Sequence, residues 1–267
     1  MTLARIGYRT ISRAAGAVVD ASTEIAGYPA RAAANELSYE GWQVGDGEWW
    51  RISTTTPETC NYAGVLHNLG PRRYRLRVWS QAGTILHASH NIVDDSPLML
   101  LFNNATSNDW RIEIDDNGAA AGTEPVGYVP LIRVAFIGRA LVMPHAIYGG
   151  HAPLRMQRDA IKEPNMSNSG QHLGESLIRR GESGSYAWQH LDPAWVRTHV
   201  EPFAQYAASG HNAFFAKWRP TDYPNENFYG RVVGRVELTN MGIGPGWMSM
   251  NMSVRGFAAL DPEDDYS

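Results

Sequence analysis

Short runs of strand-forming residues, separated by turn-forming residues, recur through the first half of this chain. The clearest is YRLRVWS (74–80), in which aromatic and aliphatic residues alternate with arginines. Because successive side chains of a strand point to opposite faces, this alternation predicts a strand with one buried and one solvent-facing side. Five more strands are predicted at 49–54, 62–68, 98–103, 109–115 and 131–138. Several short strands joined by turns containing Gly, Asn, Asp and Pro predict a mainly β sandwich or barrel.

Composition and charge narrow the class further. A chain of 267 residues with 43% hydrophobic and 10% aromatic residues can bury a large core, which excludes a disordered protein. A formal net charge of −4 offers no basic surface for phosphates, so we expect no nucleic-acid partner. We also expect no membrane span, because no run approaches the roughly 18 apolar residues that a helix needs. Cys60 is the only cysteine, which excludes an intrachain disulfide and a zinc site built from thiolates.

The sequence changes in character after residue 144, where Gly, Pro, Asn and Ser become frequent. We therefore predict two domains, a β-sandwich at 1–144 and a second β-rich domain at 145–267 that ends in an acidic tail. One helical segment is predicted in LDPAWVRTHVEPFAQYAAS, where Asp192 can cap the first turn and Pro193 suits that turn. Pro202 in its middle predicts either a kink or two short helices. Strands are predicted to resume at 213–220, 230–240 and 247–257.

The segments of the first domain, in chain order, carry a family resemblance. ASTEIAGYPARAAAN, YEGWQVGDGEWWRI, CNYAGVLHNLG and DDSPLMLLF resemble the discoidin-like jelly roll, also known as the coagulation factor type C or galactose-binding-like domain, in the form found in tailed bacteriophages. In the second domain, NAFFAKWRPTDYPNENFYGRV and MSMNMSVRGFA look like the tail-tip, or baseplate, proteins of phages with long non-contractile tails. The resemblance implies a discoidin-like jelly-roll β-sandwich followed by a tail-assembly domain.

This resemblance implies a non-enzymatic structural protein of the virion. Such a distal tail protein is made in the host cytoplasm and forms part of a homo-oligomeric ring around the tail axis, with the sandwich domain facing outward. Its partners would be other tail proteins: the tail tube, the hub and the tape measure protein. The alternative is a carbohydrate-binding module that attaches the particle to a glycan of the host surface. A third hypothesis, a polysaccharide-degrading enzyme, is the weakest.

Sequence motifs for catalysis and cofactor binding are missing. No G-x-S-x-G nucleophile motif, H-E-x-x-H zinc motif or phosphate-binding loop occurs in the chain. The adjacent acids Asp94 and Asp95 are better explained by a turn, because glycoside hydrolysis needs two carboxyl groups held several ångströms apart. We therefore expect no enzyme activity, no cofactor and no metal site.

The first domain has one dense set of residue types that bind sugars. A sugar site combines an exposed aromatic ring with planar hydrogen-bonding groups. Trp42, Trp50, His67 and Asn68 are the candidates for such a site. The alternative is that these residues are core, since of the neighbours Trp49 and Trp50 one must point inward on a strand.

The second domain has two candidate assembly surfaces. In the C-terminal strand Met248, Met250 and Met252 share one face, and methionine adapts to irregular partners. That face could be a subunit contact or part of the core. The loop PTDYPNENFYG (220–230) is polar and aromatic, and its Tyr223 and Phe228 are candidates for an intersubunit or host contact.

Overall fold

A computed structural model describes residues 3–70, 74–115, 127–147, 158–210, 212–242 and 246–257, without the side chains of 179 and 180. Most of these residues lie in fourteen antiparallel strands. In chain order they are β1 Arg5–Gly7, β2 Val18–Ala21, β3 Trp42–Gln43, β4 Trp49–His67, β5 Arg75–Ser80, β6 Ile85–Asn91, β7 Leu98–Asp115, β8 Leu131–Gly138, β9 Leu141–Val142, β10 Arg158–Met166, β11 His172–Leu191, β12 Phe214–Lys217, β13 Asn227–Met241 and β14 Trp247–Gly256. The predicted mainly β class is confirmed.

Strands β2 to β8 form one sheet, here called the folded sheet, in the order β3-β8-β4-β7-β5-β6 with β2 on β4. Two predicted strand pairs are in fact single long strands, β4 and β7. The rings of Phe102 and Trp110 lie 5.7 Å apart although the two residues are eight positions apart, which shows that β7 is bent. A straight strand would separate them by about 26 Å. Strand β4 pairs with both halves of β7 and therefore bends with it. The sheet thus folds back on itself as a jelly-roll sandwich.

The core of this sandwich lies between the two halves of the bent strands. It contains Trp50 and Ile52 from the first half of β4 together with Val65 from its second half. Strand β5 follows the predicted alternation, with Leu76 and Val78 buried and the arginines between them partly exposed. Full burial of such side chains stabilises the fold by about 1.5–3 kcal/mol each.

The remaining strands form the second sheet, in the order β10-β11-β14-β13-β12-β1-β9. In the sequence, β1 precedes and β9 follows the strands of the folded sheet, yet both belong to the second sheet. There β1 pairs with β12 on one side and with β9 on the other. The N-terminal strand therefore joins the second sheet. The domain boundary at residue 144 stays a prediction.

The two faces of the second sheet have different neighbours. Phe215 of β12 and Tyr229 of β13 pack on the outer face of the folded sheet, and Gly64 of β4 makes room for the Phe215 ring. Phe214 and Phe228 point to the opposite face, which the helical segment covers. The second sheet thus lies between the folded sheet and the helix.

The helical segment comprises α1 Pro193–Trp195, a π-helical turn Val196–Val200 and α2 Glu201–Ala208. Asp192 caps its start as predicted, accepting a hydrogen bond from the Trp195 amide. Pro202 has no amide hydrogen to donate, and just before it the Glu201 amide bonds five residues back, to the Val196 carbonyl. The predicted disturbance near Pro202 is thus a wide turn inside a continuous helical segment.

Candidate functional site

Two of the residues predicted to bind sugar belong to the core of the sandwich. Trp42 and Trp50 are both fully buried. Their indole N–H groups donate to backbone carbonyls, Trp42 to Thr23 and Trp50 to Ala30, each at 2.9 Å. A sugar needs an exposed ring face, so the structure corrects the expectation of an aromatic platform at these two residues.

His67 and Asn68 also have structural roles. Burial lowers the pKa of His67 to about 4, so its ring is neutral and enclosed at neutral pH. The side-chain amide of Asn68 donates to the Val129 carbonyl at 3.0 Å and accepts from the Leu131 amide at 2.7 Å. Asn68 therefore holds the start of β8 in place, and its amide is already occupied by the backbone.

The predicted assembly residues divide between the core and the surface. Met250, Met252 and Phe228 are buried in the core under the helix, and Met248 is partly buried against it. The methionine row is therefore a core face, which corrects its assignment as a possible subunit contact. Tyr223 is 45% exposed and stacks on Trp218, with ring centroids 5.3 Å apart, so it alone of this set stays available for a partner.

The most promising binding site is a cleft at the β9 edge of the second sheet, where the folded sheet and the helical segment approach each other. We call it the edge cleft. Its volume is about 660 Å³, and its described walls come from β1 with the residues after it, β4, β7, the β8–β9 connection and the helical turn around Thr198. This volume lies within the range of about 300–1,000 Å³ that is typical of small-molecule sites.

An aromatic pair lies on the helical side of the edge cleft. The rings of Trp195 and His199 stack with centroids 5.2 Å apart and planes inclined by 15°. They are four positions apart in the sequence, which places both on one face of the helix. Asp192 fixes the start of this helix, and the His199 ring lies 3.1 Å from the Trp195 carbonyl through Nδ1.

Amide side chains lie on the side formed by the folded sheet. Asn61 donates to the side-chain oxygen of Asn104 at 3.1 Å and accepts from the Ala140 amide at 2.8 Å. Asn103 is exposed beside them. Asn61 thereby fixes Asn104, and the exposed side chains of Asn103 and Asn104 are the planar amides that present donors and acceptors to a ligand.

Three arginines complete the walls: Arg5, Arg9 and Arg139. Arg9 donates from Nε to the Tyr8 hydroxyl at 2.9 Å. Its backbone carbonyl accepts from the Tyr62 hydroxyl at 2.7 Å. A Cβ at residue 138 would lie 2.0 Å from that carbonyl oxygen, so only glycine allows Arg9 to pack against the end of β8, next to Arg139.

A second depression of about 570 Å³ continues from the edge cleft. It shares Tyr8, Arg9 and Arg139 with the edge cleft, and its far wall includes Arg13 and the segment Pro57–Thr59 of β4, with the carboxylate of Glu58. The two depressions together form a groove rather than a closed cavity. Such a shape suits an extended ligand more than a single compact one.

The described walls of the edge cleft contain no Asp or Glu. Across the described residues, no group of three or more His, Cys, Asp or Glu side chains is arranged to hold a metal ion. A search of the same residues for a helix that could cross a membrane also found none.

The chain was compared with protein families, curated proteins and solved structures. No protein-family model and no curated protein matches it. Among solved structures it is similar to a GH29 fucosidase from Ruminococcus gnavus in complex with fucose, with 15% identity and a TM-score of 0.40 over 49% of this chain and 27% of the fucosidase. The chain thus spans about a quarter of the length of that enzyme.

Two binding modules show a similar degree of likeness. One is chitosan-binding module 1 of a chitosanase/glucanase from Paenibacillus sp. IK-5, with 16% identity and a TM-score of 0.37 over 48% of this chain and 98% of the module. The other is a pectin binding carbohydrate binding module, with 15% identity and a TM-score of 0.35 over 45% of this chain and 88% of the module. None of these three structures is a phage protein.

The sequence analysis missed the edge cleft because its walls come from segments that are far apart in the chain. Two signals were present in the sequence. One is Arg139, which interrupts the longest apolar run of the sequence. The other is the spacing of four between Trp195 and His199, which fits a helix face buried in the core equally well as a helix face that binds a ligand. Only the pairing of β1 with β9 and β12 brings these residues together.

Proposed function

We propose that this protein is a non-enzymatic glycan-binding protein and that the edge cleft holds the sugar. The observation that carries the proposal is that the Trp195–His199 stack and the exposed amides of Asn103 and Asn104 line the same cleft. Aromatic rings pack on the C–H faces of a pyranose, while amide and guanidinium groups pair with its hydroxyls. The lining of the edge cleft offers both kinds of group.

The chemistry of the walls favours binding over hydrolysis. Glycoside hydrolysis generally uses two carboxyl groups on either side of the scissile bond. The described lining of the edge cleft provides amide, guanidinium, hydroxyl and aromatic groups instead. Because the groove continues past Arg9 toward β4, we propose that the ligand is an oligosaccharide or a stretch of polysaccharide.

The proposal is tested with Trp195→Ala and a matched variant, Trp247→Ala, which removes an exposed tryptophan from β14 outside the cleft. We expect Trp195→Ala to reduce the signal on a broad glycan array at least tenfold and Trp247→Ala to leave it unchanged. Since Trp195 also packs against the core, Asn103→Ala serves as a second cleft variant at an exposed position. Failure of the wild-type protein to bind any glycan would refute the proposal.

A second candidate function is assembly into the distal tail of a long-tailed bacteriophage, with the protein located in the virion. The observation that favours it is the hairpin of β10 and β11, in which β10 is the edge strand of the second sheet. Exposed apolar side chains on such an edge mark a contact surface. Five occur on this hairpin: Ile161, Met166, Leu173, Leu177 and Ile178.

Light scattering coupled to size exclusion tests this second candidate. We expect the full chain to form a closed oligomer and the double variant Leu173→Gln/Ile178→Gln to be monomeric. A wild-type protein that stays monomeric at high concentration and is missing from purified virions would rule out the assembly role.

A further inference from the structure

We propose that the glycan in the edge cleft is acidic, carrying carboxylate or sulfate groups that bind Arg5, Arg9 and Arg139. This inference rests on the proposed function and specifies its ligand. Within the described part of the chain, no carboxylate forms an ion pair with any of these three arginines. Their positive charge is therefore available to a ligand.

Several arginines elsewhere in the same molecule are paired with carboxylates. Arg75 and Arg77 share Asp115 across neighbouring strands, and Arg13 binds Glu36 at 2.5 Å. The whole chain has a formal net charge of −4, so acidic side chains are plentiful. Arg5, Arg9 and Arg139 have no described carboxylate partner and line one cleft whose described walls contain no Asp or Glu, so together they make the local potential positive.

Of the three arginines, Arg9 has contacts that orient it for an anion. Partial burial lowers the pKa of Arg5, yet a guanidinium stays protonated in proteins. Arg9 is fixed through its backbone by Tyr62 and through Nε by Tyr8, which leaves its terminal nitrogens without a described partner. A guanidinium with free terminal nitrogens binds a carboxylate or sulfate through two parallel hydrogen bonds.

The position of the charges along the groove adds to the argument. Arg9 and Arg139 line both the edge cleft and the second depression, so they lie where the two join. The Trp195–His199 pair lines the same cleft as these two side chains, so a sugar packed against the pair leaves them to its neighbouring unit. The structure thus assigns the anionic group to a unit of the glycan beside the one that stacks.

The experiment uses the full-length protein and an array that pairs acidic polysaccharides with neutral forms of the same polymer. The pairs are polygalacturonate, alginate and hyaluronan with their carboxyl-reduced forms, and heparin with its desulfated, carboxyl-reduced form. We expect the protein to bind at least one acidic member, with the signal falling at least tenfold in its neutral form. Binding should also weaken as salt is raised, because the cleft is open to solvent. The pair that responds distinguishes carboxylate from sulfate recognition.

Two variants and one matched control locate the effect. Arg9→Gln and Arg139→Gln should each weaken binding of the best acidic glycan by about tenfold or more, the usual loss when a hydrogen bond to a charged group is removed. Arg231→Gln, at an exposed position on β13 outside the groove, should leave it unchanged. All three sites are exposed, so we expect the variants to fold.

The other outcomes separate the inference from the proposed function. Equal binding of acidic and neutral forms, or binding of neutral glycans only, would overturn the inference and leave the proposed function standing. Binding to no glycan would overturn both. Tighter binding of an oligothymidylate than of any glycan would overturn both in favour of a nucleic-acid ligand.

Discussion

Replacing Lys217 with methionine tests how tightly the two sheets pack. Lys217 lies on β12 and is only 6% exposed, and its ammonium donates to the Met99 carbonyl of β7 at 3.1 Å. Burial lowers its pKa from 10.5 to about 8. Lys217→Met keeps a side chain of similar length and removes the ionisable group, so the difference between the two proteins isolates this one titration.

The size and sign of the effect follow from the two pKa values. Between pH 8 and 10.5 the unfolded chain binds more protons at Lys217 than the folded one. Stability therefore rises with pH across this window, and the burial penalty is fully present below it. The total is about 3 kcal/mol at ~1.36 kcal/mol per pKa unit, with about 2.5 kcal/mol falling between pH 7 and 10.

The measurement is the free energy of unfolding in urea for both proteins at pH 7, 8, 9 and 10, followed by tryptophan fluorescence. Tyrosines that titrate at high pH affect both proteins alike and cancel in the difference. We expect the stability of the wild type relative to Lys217→Met to increase by about 2–3 kcal/mol over this range. A difference that stays constant with pH would show that Lys217 is solvated and would refute the packing described for β12 against β7.

Three further predictions concern close packing and the buried thiol. Gly64→Ala should lower the free energy of unfolding by about 1–3 kcal/mol, because the added Cβ would lie 2.4 Å from the Phe215 ring. Gly138→Ala should weaken glycan binding and lower the stability of the fold, because the added Cβ would displace the Arg9 carbonyl. Calorimetry would measure the loss of binding, and thermal unfolding would measure the loss of stability. Cys60 should react with a thiol reagent only after denaturation, because it is fully buried and burial raises the pKa of its thiol.

Each of these predictions has a result that contradicts it. Gly45→Ala is the matched control for the glycine variants, as a Cβ there would meet only the flexible Glu48 side chain. If Gly64→Ala were as stable as that control, the sheets would not be in the described contact. Unchanged glycan affinity in Gly138→Ala would show that the segment around Arg9 is not part of the binding site. Labelling of Cys60 at the same rate in folded and unfolded protein would contradict its place in the core.

Local pattern predicted the strands well where one face is buried and the other is not. In β5 the alternation of Leu76 and Val78 with arginines is confirmed residue by residue. Pattern failed where a strand bends, since the exposed polar residues in the middle of β4 and β7 read as loops between separate strands. It also failed for β10 and the first part of β11, residues 172–178, which lack a buried face to produce alternation.

The binding site depended on information that local sequence does not hold. Trp42 and Trp50 have the right chemistry for a sugar, but the direction in which each points is set by the core around it. Arg9, Arg139 and Trp195 meet only because β1 crosses from the start of the chain to the second sheet. Composition could therefore suggest a glycan ligand but could not place it.

A crystal structure with the glycan that gives the strongest array signal tests the central claim most directly. We predict density for the sugar in the edge cleft, with one unit packed against the Trp195–His199 pair and an adjacent unit within hydrogen-bonding distance of Arg9 or Arg139. Density elsewhere, for example at the loops of the sandwich, with the edge cleft empty, would contradict this account.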